Sequence, residues 1–355
     1  MLKKILFLFL FLFFSLALFL NPVFANDLDK KIGQMLIIGF EGNKINSYSF
    51  KKIQKQIKKG EISGVILFSK NIKSKDDLVK MNQILLDSSE IIPFISIDNE
   101  GGQIQRFDFY NNKSAKEISN LENIDARQEY SSMAKNLKSL NFNLNFAPCV
   151  DLEINPDSII SKKERSYSKN PNIVSNYSKI FIEEHSKEKI ATSIKHFPGH
   201  GNVSGDTHLG FVDSTNTFNE IELEPYKNLV QYDKTNIVMI SHIFNKNFDE
   251  NYPASLSKKT VDYLKNNIGF KGLIVSDDYD MRSIRDNYKL DEIIVNSINS
   301  GINLLIFSNN IKVKEKNLAK KFHKIIKKEL KKGTIKKENI ENSYQKIIQL
   351  KNSLL

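Results

Sequence analysis

Eight short apolar runs recur along this chain, each separated from the next by sequence of helical character. They are Met35–Gly39, Gly64–Phe68, Phe94–Ile97, Asn143–Pro148, Ala191–Ile194, Ile237–Ile240, Gly272–Val275 and Asn303–Phe307. Continuous Ile, Val, Leu and Phe without polar alternation is the pattern of a strand covered on both faces. The segments between them, such as Lys258–Ile268 and Leu290–Ile298, carry apolar residues at helical spacing instead. A doubly wound open sheet would accommodate such alternation. Eight repeats at spacings of roughly 30 to 50 residues favour closure into a single (β/α)8 barrel. A last helix begins near Glu338, with Ile340, Tyr344, Ile347 and Ile348 on one stripe. No Pro/Gly/Ser linker interrupts residues 26–355, which read as one domain.

The first 25 residues stand apart. Lys3 and Lys4 precede the Leu/Phe run Ile5 to Leu20, and the segment closes on Val23-Phe24-Ala25. This predicts a signal peptide cleaved after Ala25 and export to the periplasm or medium, with a retained anchor as the alternative. Residue 26 is asparagine, which argues against a lipoprotein. The one cysteine, Cys149, has no partner for an internal disulfide. Lysine and arginine outnumber acids 52 to 41, and the stretch KKFHKIIKKELKKGTIKK is the most basic. It reads as a solvated lysine face over buried Ile and Leu, not as a nucleic-acid arm. A monomer with no membrane insertion after cleavage is expected.

Polar residues follow five consecutive runs. Asp98-Asn99-Glu100 follows the third, Asp151 the fourth, Lys195-His196 the fifth, Ser241-His242 the sixth and Ser276-Asp277-Asp278 the seventh. In a barrel these positions share the C-terminal rim, where active sites are built. Carboxylates with lysine, arginine and histidine suit acid/base chemistry on a polyhydroxylated substrate. The stretch SIKHFPGHGNVSGDTHLG adds Asp206 and His208 two residues apart in a glycine-rich loop. That spacing lets the carboxylate orient the imidazole and raise its pKa.

These motifs resemble those of the bacterial β-N-acetylglucosaminidases of glycoside hydrolase family 3. The resemblance rests on IDNEGGQIQRF at 97–107, FAPCVDLEINP at 146–156, ERSYS at 164–168 and KHFPGHG at 195–201. GDTHLG at 205–210, PASLS at 253–257 and GFKGLIVSDDYDM at 269–281 extend it in the same order. It implies Asp277 as nucleophile, His208 as general acid/base and Asp206 as its partner. It also implies Asp98, Arg106, Arg165, Lys195 and His196 as ligands of a terminal N-acetylglucosamine, with no metal or cofactor. The implied substrates are muropeptides or chitooligosaccharides. Asn202, Gln103 and Lys163 depart from the family pattern, and Lys163 is expected to reshape the loop that brings in Arg165. His200 reads as a brace of the loop, Asp278 as a helix cap or supporting hydrogen-bond partner, Asp151 and His242 as lining or bracing the site with no assigned role, and Glu100 as support for the following glycine turn.

Three other readings compete. A zinc hydrolase would draw on His196, His200, His208, His242 and Asp277. A non-catalytic sugar binder would lack Asp277 or His208, and both are present. Phosphorolysis is the third, because an imidazole acid/base carries no negative charge to repel phosphate.

Overall fold

The computed structural model describes residues 27–310 and 315–355, so the expected signal peptide lies outside the described residues. Strands β1 (Leu36–Ile38), β2 (Gly64–Leu67), β3 (Phe94–Ile97) and β4 (Leu144–Asn145) form the first half of a parallel barrel. Strands β5 (Ala191–Phe197), β6 (Ile237–Ile240), β7 (Leu273–Asp278) and β8 (Leu304–Phe307) form the second. Neighbours pair in chain order, and β1 closes on β8 through Leu36↔Leu305, Ile37↔Ile306 and Ile38↔Phe307. The (β/α)8 expectation holds, and the open sheet is excluded. Every strand residue is buried except Asp277 and Asp278, which are half-buried, and this is why the runs lack polar alternation.

Two strands run further than their apolar stretches. Strand β5 continues through Lys195 and His196 to Phe197, and β7 through Asp277 to Asp278. Both shift register there, between Ile194 and Phe197 and between Val275 and Asp278. Site residues expected after these strands therefore belong to them, at irregular positions where the shifted ladder re-aims the side chains.

The outer helices start where the sequence supplies caps. Ser74 and Ser257 accept N–H groups of Asp77 and Thr260, and Asn170 caps a helix with Pro171 in its first turn. The final helix, Lys337–Ser353, buries Ile340, Ser343, Ile347 and Leu350, leaving Tyr344 and Ile348 half-buried at the stripe's edges.

At the N-terminal end of the barrel that helix inserts Lys351, which is fully buried. Its Nζ donates to Gln34 Oε1 (2.7 Å) and the Ser63 carbonyl (2.8 Å), 4.6 Å from the Phe94 ring centroid. Burial without a carboxylate pushes this amine well below the usual lysine range. The unfolded chain keeps a pKa of about 10.4 and binds the proton more tightly, so stability rises with pH until that value. The urea midpoint should therefore climb between about pH 7 and about pH 9.5, and Lys351→Met should flatten the climb. Parallel wild-type and variant profiles would show that the amine is charged in the fold.

Candidate active site

On the rim, the carboxylates that follow β3 meet a lysine from β5. Asp98 Oδ1 lies 3.1 Å from Lys195 Nζ, and Asp98 Oδ2 lies 3.1 Å from Arg106. Lys195 Nζ also lies 2.6 Å from Glu100 Oε1. Arg165 grips Glu100 with two nitrogens, Nε at 2.8 Å and Nη2 at 2.6 Å. Glu100 thus joins the charge network instead of only bracing the glycine turn. Burial raises both acids, but Arg165 and Lys195 outweigh it at Glu100, and Lys195 and Arg106 outweigh it at Asp98. For Lys195, burial is outweighed in turn by Glu100 and Asp98. Asp98, Glu100, Lys195 and Arg165 stay charged at neutral pH. Asp98 and Arg106 keep 18% and 25% of their side chains exposed, while Lys195, Glu100 and Arg165 are enclosed. A ligand would touch the first two and be positioned by the others.

Lys163 does not keep Arg165 away. It ends the short helix Ile159–Lys162 at φ −104°, and the left-handed turn falls on Glu164 at φ 54°. Asn202, the other departure of note, donates its amide to the Thr217 carbonyl.

Asp151, after β4, organises the next layer. Its Oδ2 lies 2.6 Å from His196 Nδ1, and its Oδ1 accepts the N–H groups of His196 (3.2 Å) and His200 (2.9 Å). Arg165 Nη2 donates to His196 Nε2 at 3.2 Å, so Nδ1 carries the proton given to Asp151. The expected bracing roles of Asp151 and His200 follow from these bonds. Burial pushes His200 down to about 4, with His196 adding to the effect.

Among the described residues, the only three metal-type ligands that converge are Cys149, Asp151 and His196. They are not the set that a zinc site was expected to use. His242 is engaged elsewhere, accepting from Ser255 Oγ at Nδ1 (2.7 Å) and donating Nε2–H to the Asp278 carbonyl (2.8 Å). Its ring stacks on Tyr279 at 5.3 Å, and burial pushes its pKa down. Met281 is buried in packing.

The tandem acids of β7 diverge. Burial raises Asp277, but His242, His196 and His208 outweigh it and leave the carboxyl at about 2. It is ionised at neutral pH. Asp278 turns to β8, where it accepts the Ser308 N–H (2.9 Å) and the Ser308 hydroxyl. Burial and the Asp280 carboxylate push Asp278 up to about 7. Adjacent residues of one strand point to opposite faces, so one acid faces the site and the other bolts β7 to β8.

The loop from Gly199 to Gly210 is fixed at its base. Gly199 (φ 144°) lies against Glu222, whose Oε2 accepts the Gly201 N–H at 3.2 Å. A Cβ on Gly201 would fall 1.9 Å from the Leu152 carbonyl oxygen, so only glycine fits there. Further out, the Thr207 carbonyl accepts the Ser283 N–H (3.2 Å), docking the loop beside the end of β7. Asp206 Oδ1 takes both the N–H of His208 (2.9 Å) and its Nδ1 (2.8 Å). Asp206 raises the imidazole pKa; burial opposes it and Asp277 adds to the rise. The His208 side chain is 60% exposed. Glu222 is the residue that sequence reasoning missed. It stands among Glu220 and Glu224 with no local mark, and burial pushes it up to about 8.

Residues 27–350 match the profile of the Glycosyl hydrolase family 3 N terminal domain. The Beta-hexosaminidase A of Pseudoalteromonas piscicida is 26% identical over 85% of this chain, although the chain spans only 55% of that protein. The Beta-hexosaminidase of Shewanella frigidimarina is 31% identical over 66% of this chain and 71% of its own length. In fold, a Paenibacillus family 3 β-N-acetylglucosaminidase superposes with a TM-score of 0.81 at 24% identity, covering 92% of this chain and 62% of the other. The β-N-acetylhexosaminidase of Beutenbergia cavernae gives 0.83 at 18% identity, covering 92% and 98%. With nearly all of its described barrel inside the matching profile, the chain belongs to glycosyl hydrolase family 3.

Proposed function

We propose that this protein is an exported, retaining exo-β-N-acetylglucosaminidase acting on muropeptides or chitooligosaccharides. One observation carries the reading: an ionised Asp277 at the end of β7 stands beneath a loop that presents a carboxylate-paired His208. The hexosaminidase names of the relatives support the sugar, and the apolar N-terminal run supports export.

The chemistry follows from which atoms are free. Asp206 occupies Nδ1 of His208, so Nε2–H is the proton that can reach a glycosidic oxygen. Asp277 attacks the anomeric carbon as the bond to that oxygen breaks, and the departing oxygen takes the Nε2 proton. A water then gives its proton to the same nitrogen, and its oxygen displaces Asp277 from the anomeric carbon. Two displacements retain the β configuration. Asp98 and Arg106 would bind sugar hydroxyls, with Lys195, Arg165 and His196 setting their positions. Leu209 and Phe211, 70% and 52% exposed beside His208, would be covered as the loop closes over the sugar.

A chromogenic β-N-acetylglucosaminide should be cleaved in strong preference to the β-glucoside, with the β-anomer released first by NMR. Asp277→Ala should lower kcat by about 10⁴-fold or more, and His208→Ala by about 10²- to 10⁴-fold. Activity surviving Asp277→Ala, or requiring an added metal ion, would reject the mechanism.

The pH profile tests the dyad separately. Glycosylation needs His208 protonated, so kcat/KM falls as pH rises through its pKa. Asp206 holds that pKa up, so Asp206→Asn should move the alkaline limb to lower pH. An unmoved limb would assign the proton donor elsewhere.

A further inference from the structure

Away from the barrel mouth, a groove of about 1360 Å³ runs along the outer helical layer. Its walls come from helix 27–34, helix Tyr48–Lys58 with the turn after it, and helix Leu318–Lys332. Ten lysines line it against two carboxylates, Asp29 and Glu61. That is a formal excess of eight positive charges in one groove, on a chain whose whole net charge is +11. The rest of the molecule is close to neutral by comparison.

The two acids do not neutralise the groove. Asp29 is held by Lys327 and by His323 (3.2 Å), and Glu61 lies 3.9 Å from Lys59. Lys30, Lys58, Lys320, Lys324 and Lys331 form no ion pair or side-chain hydrogen bond among the described residues. Helix Leu318–Lys332 buries Phe322 and Ile326 on one face and brings Lys320, Lys324 and Lys328 together at four-residue spacing on another. Like charges at that spacing weaken a helix, and concave walls concentrate their field. A bound anion would relieve both effects.

We propose that this groove binds a linear phosphate polymer that carries no nucleobases. The groove is walled on two sides by helices, which suits a strand and not a flat lipid surface. No Phe, Tyr or Trp lines it to stack bases, and no arginine lines it to read base edges. Lysine supplies compact, freely rotating donors that meet phosphate as point charges, without the planar match that arginine imposes. The proposal is independent of the glycosidase reading, because the groove shares no residue with the site on the rim.

Binding of medium-chain inorganic polyphosphate to the full-length protein tests it. Affinity should fall at least tenfold between about 50 and 200 mM salt. It should fall at least tenfold again in the combined Lys58→Gln, Lys320→Gln, Lys324→Gln and Lys331→Gln variant. That variant should unfold no lower than the wild type and keep its glycoside turnover, and the unfolding temperature alone checks the fold if the glycosidase reading fails. Polyphosphate binding unchanged in the variant would overturn the proposal. So would equal or tighter binding of single-stranded DNA of matched charge, or binding of phosphatidylglycerol vesicles without polyphosphate.

Discussion

Lys195 sits between Asp98 and Glu100, and the rim takes its form around that ammonium. An isolated lysine at this depth would lose its proton, and two carboxylates so close would not both ionise. Together with Arg165 and Arg106 they form an alternating cluster in which each charge is compensated. Such clusters add little to stability when weighed against a packed apolar core. What they add is position. β3 and β5 are tied through this cluster, Arg165 passes the constraint to His196, and His196 passes it to Asp151 and the base of the Gly199–Gly210 loop. A polar ligand would meet a surface whose orientation is set before it arrives.

The contrast between Asp277 and Asp278 shows how one strand produces two acids of different character. Both come from the same tripeptide, and the pleat sends them apart. Asp277 is surrounded by imidazoles and keeps its negative charge. Asp278 is shut between β7 and β8 beside another carboxyl, where a proton is retained more easily and Ser308 makes the bond. His242 joins the two sides, its Nε2–H fixed on the Asp278 carbonyl while its ring faces Asp277's surroundings. The nucleophile proposed at Asp277 must be charged and accessible, and a bolt need be neither.

The molecule also separates its charges in space. The rim uses balanced pairs that hold shape, whereas the groove on the helical layer collects lysines of one sign, five of which pair with no side chain among the described residues. Balanced charge organises the protein's own atoms; unbalanced charge is felt by other molecules over a Debye length of about 8 Å.

Much of this was legible in the chain. The eight buried runs called for parallel strands covered on both faces, and their number favoured closure into a barrel. The polar residues after five of them dictated a site on one rim, and the two-residue spacing of Asp206 and His208 dictated their pairing. The sequence could not say that β5 and β7 extend through Lys195-His196 and Asp277-Asp278, since strand ends depend on neighbours' hydrogen bonds. Nor could it single out Glu222 from three similar acids, or show Glu100 joined to Lys195 and Arg165. Nothing local marked Lys351 for burial, or brought lysines from three helices into one groove. Patterns of period two and 3.6 are written along the chain, but burial and charge pairing arise between segments far apart in it. Only the closed barrel brings those segments together.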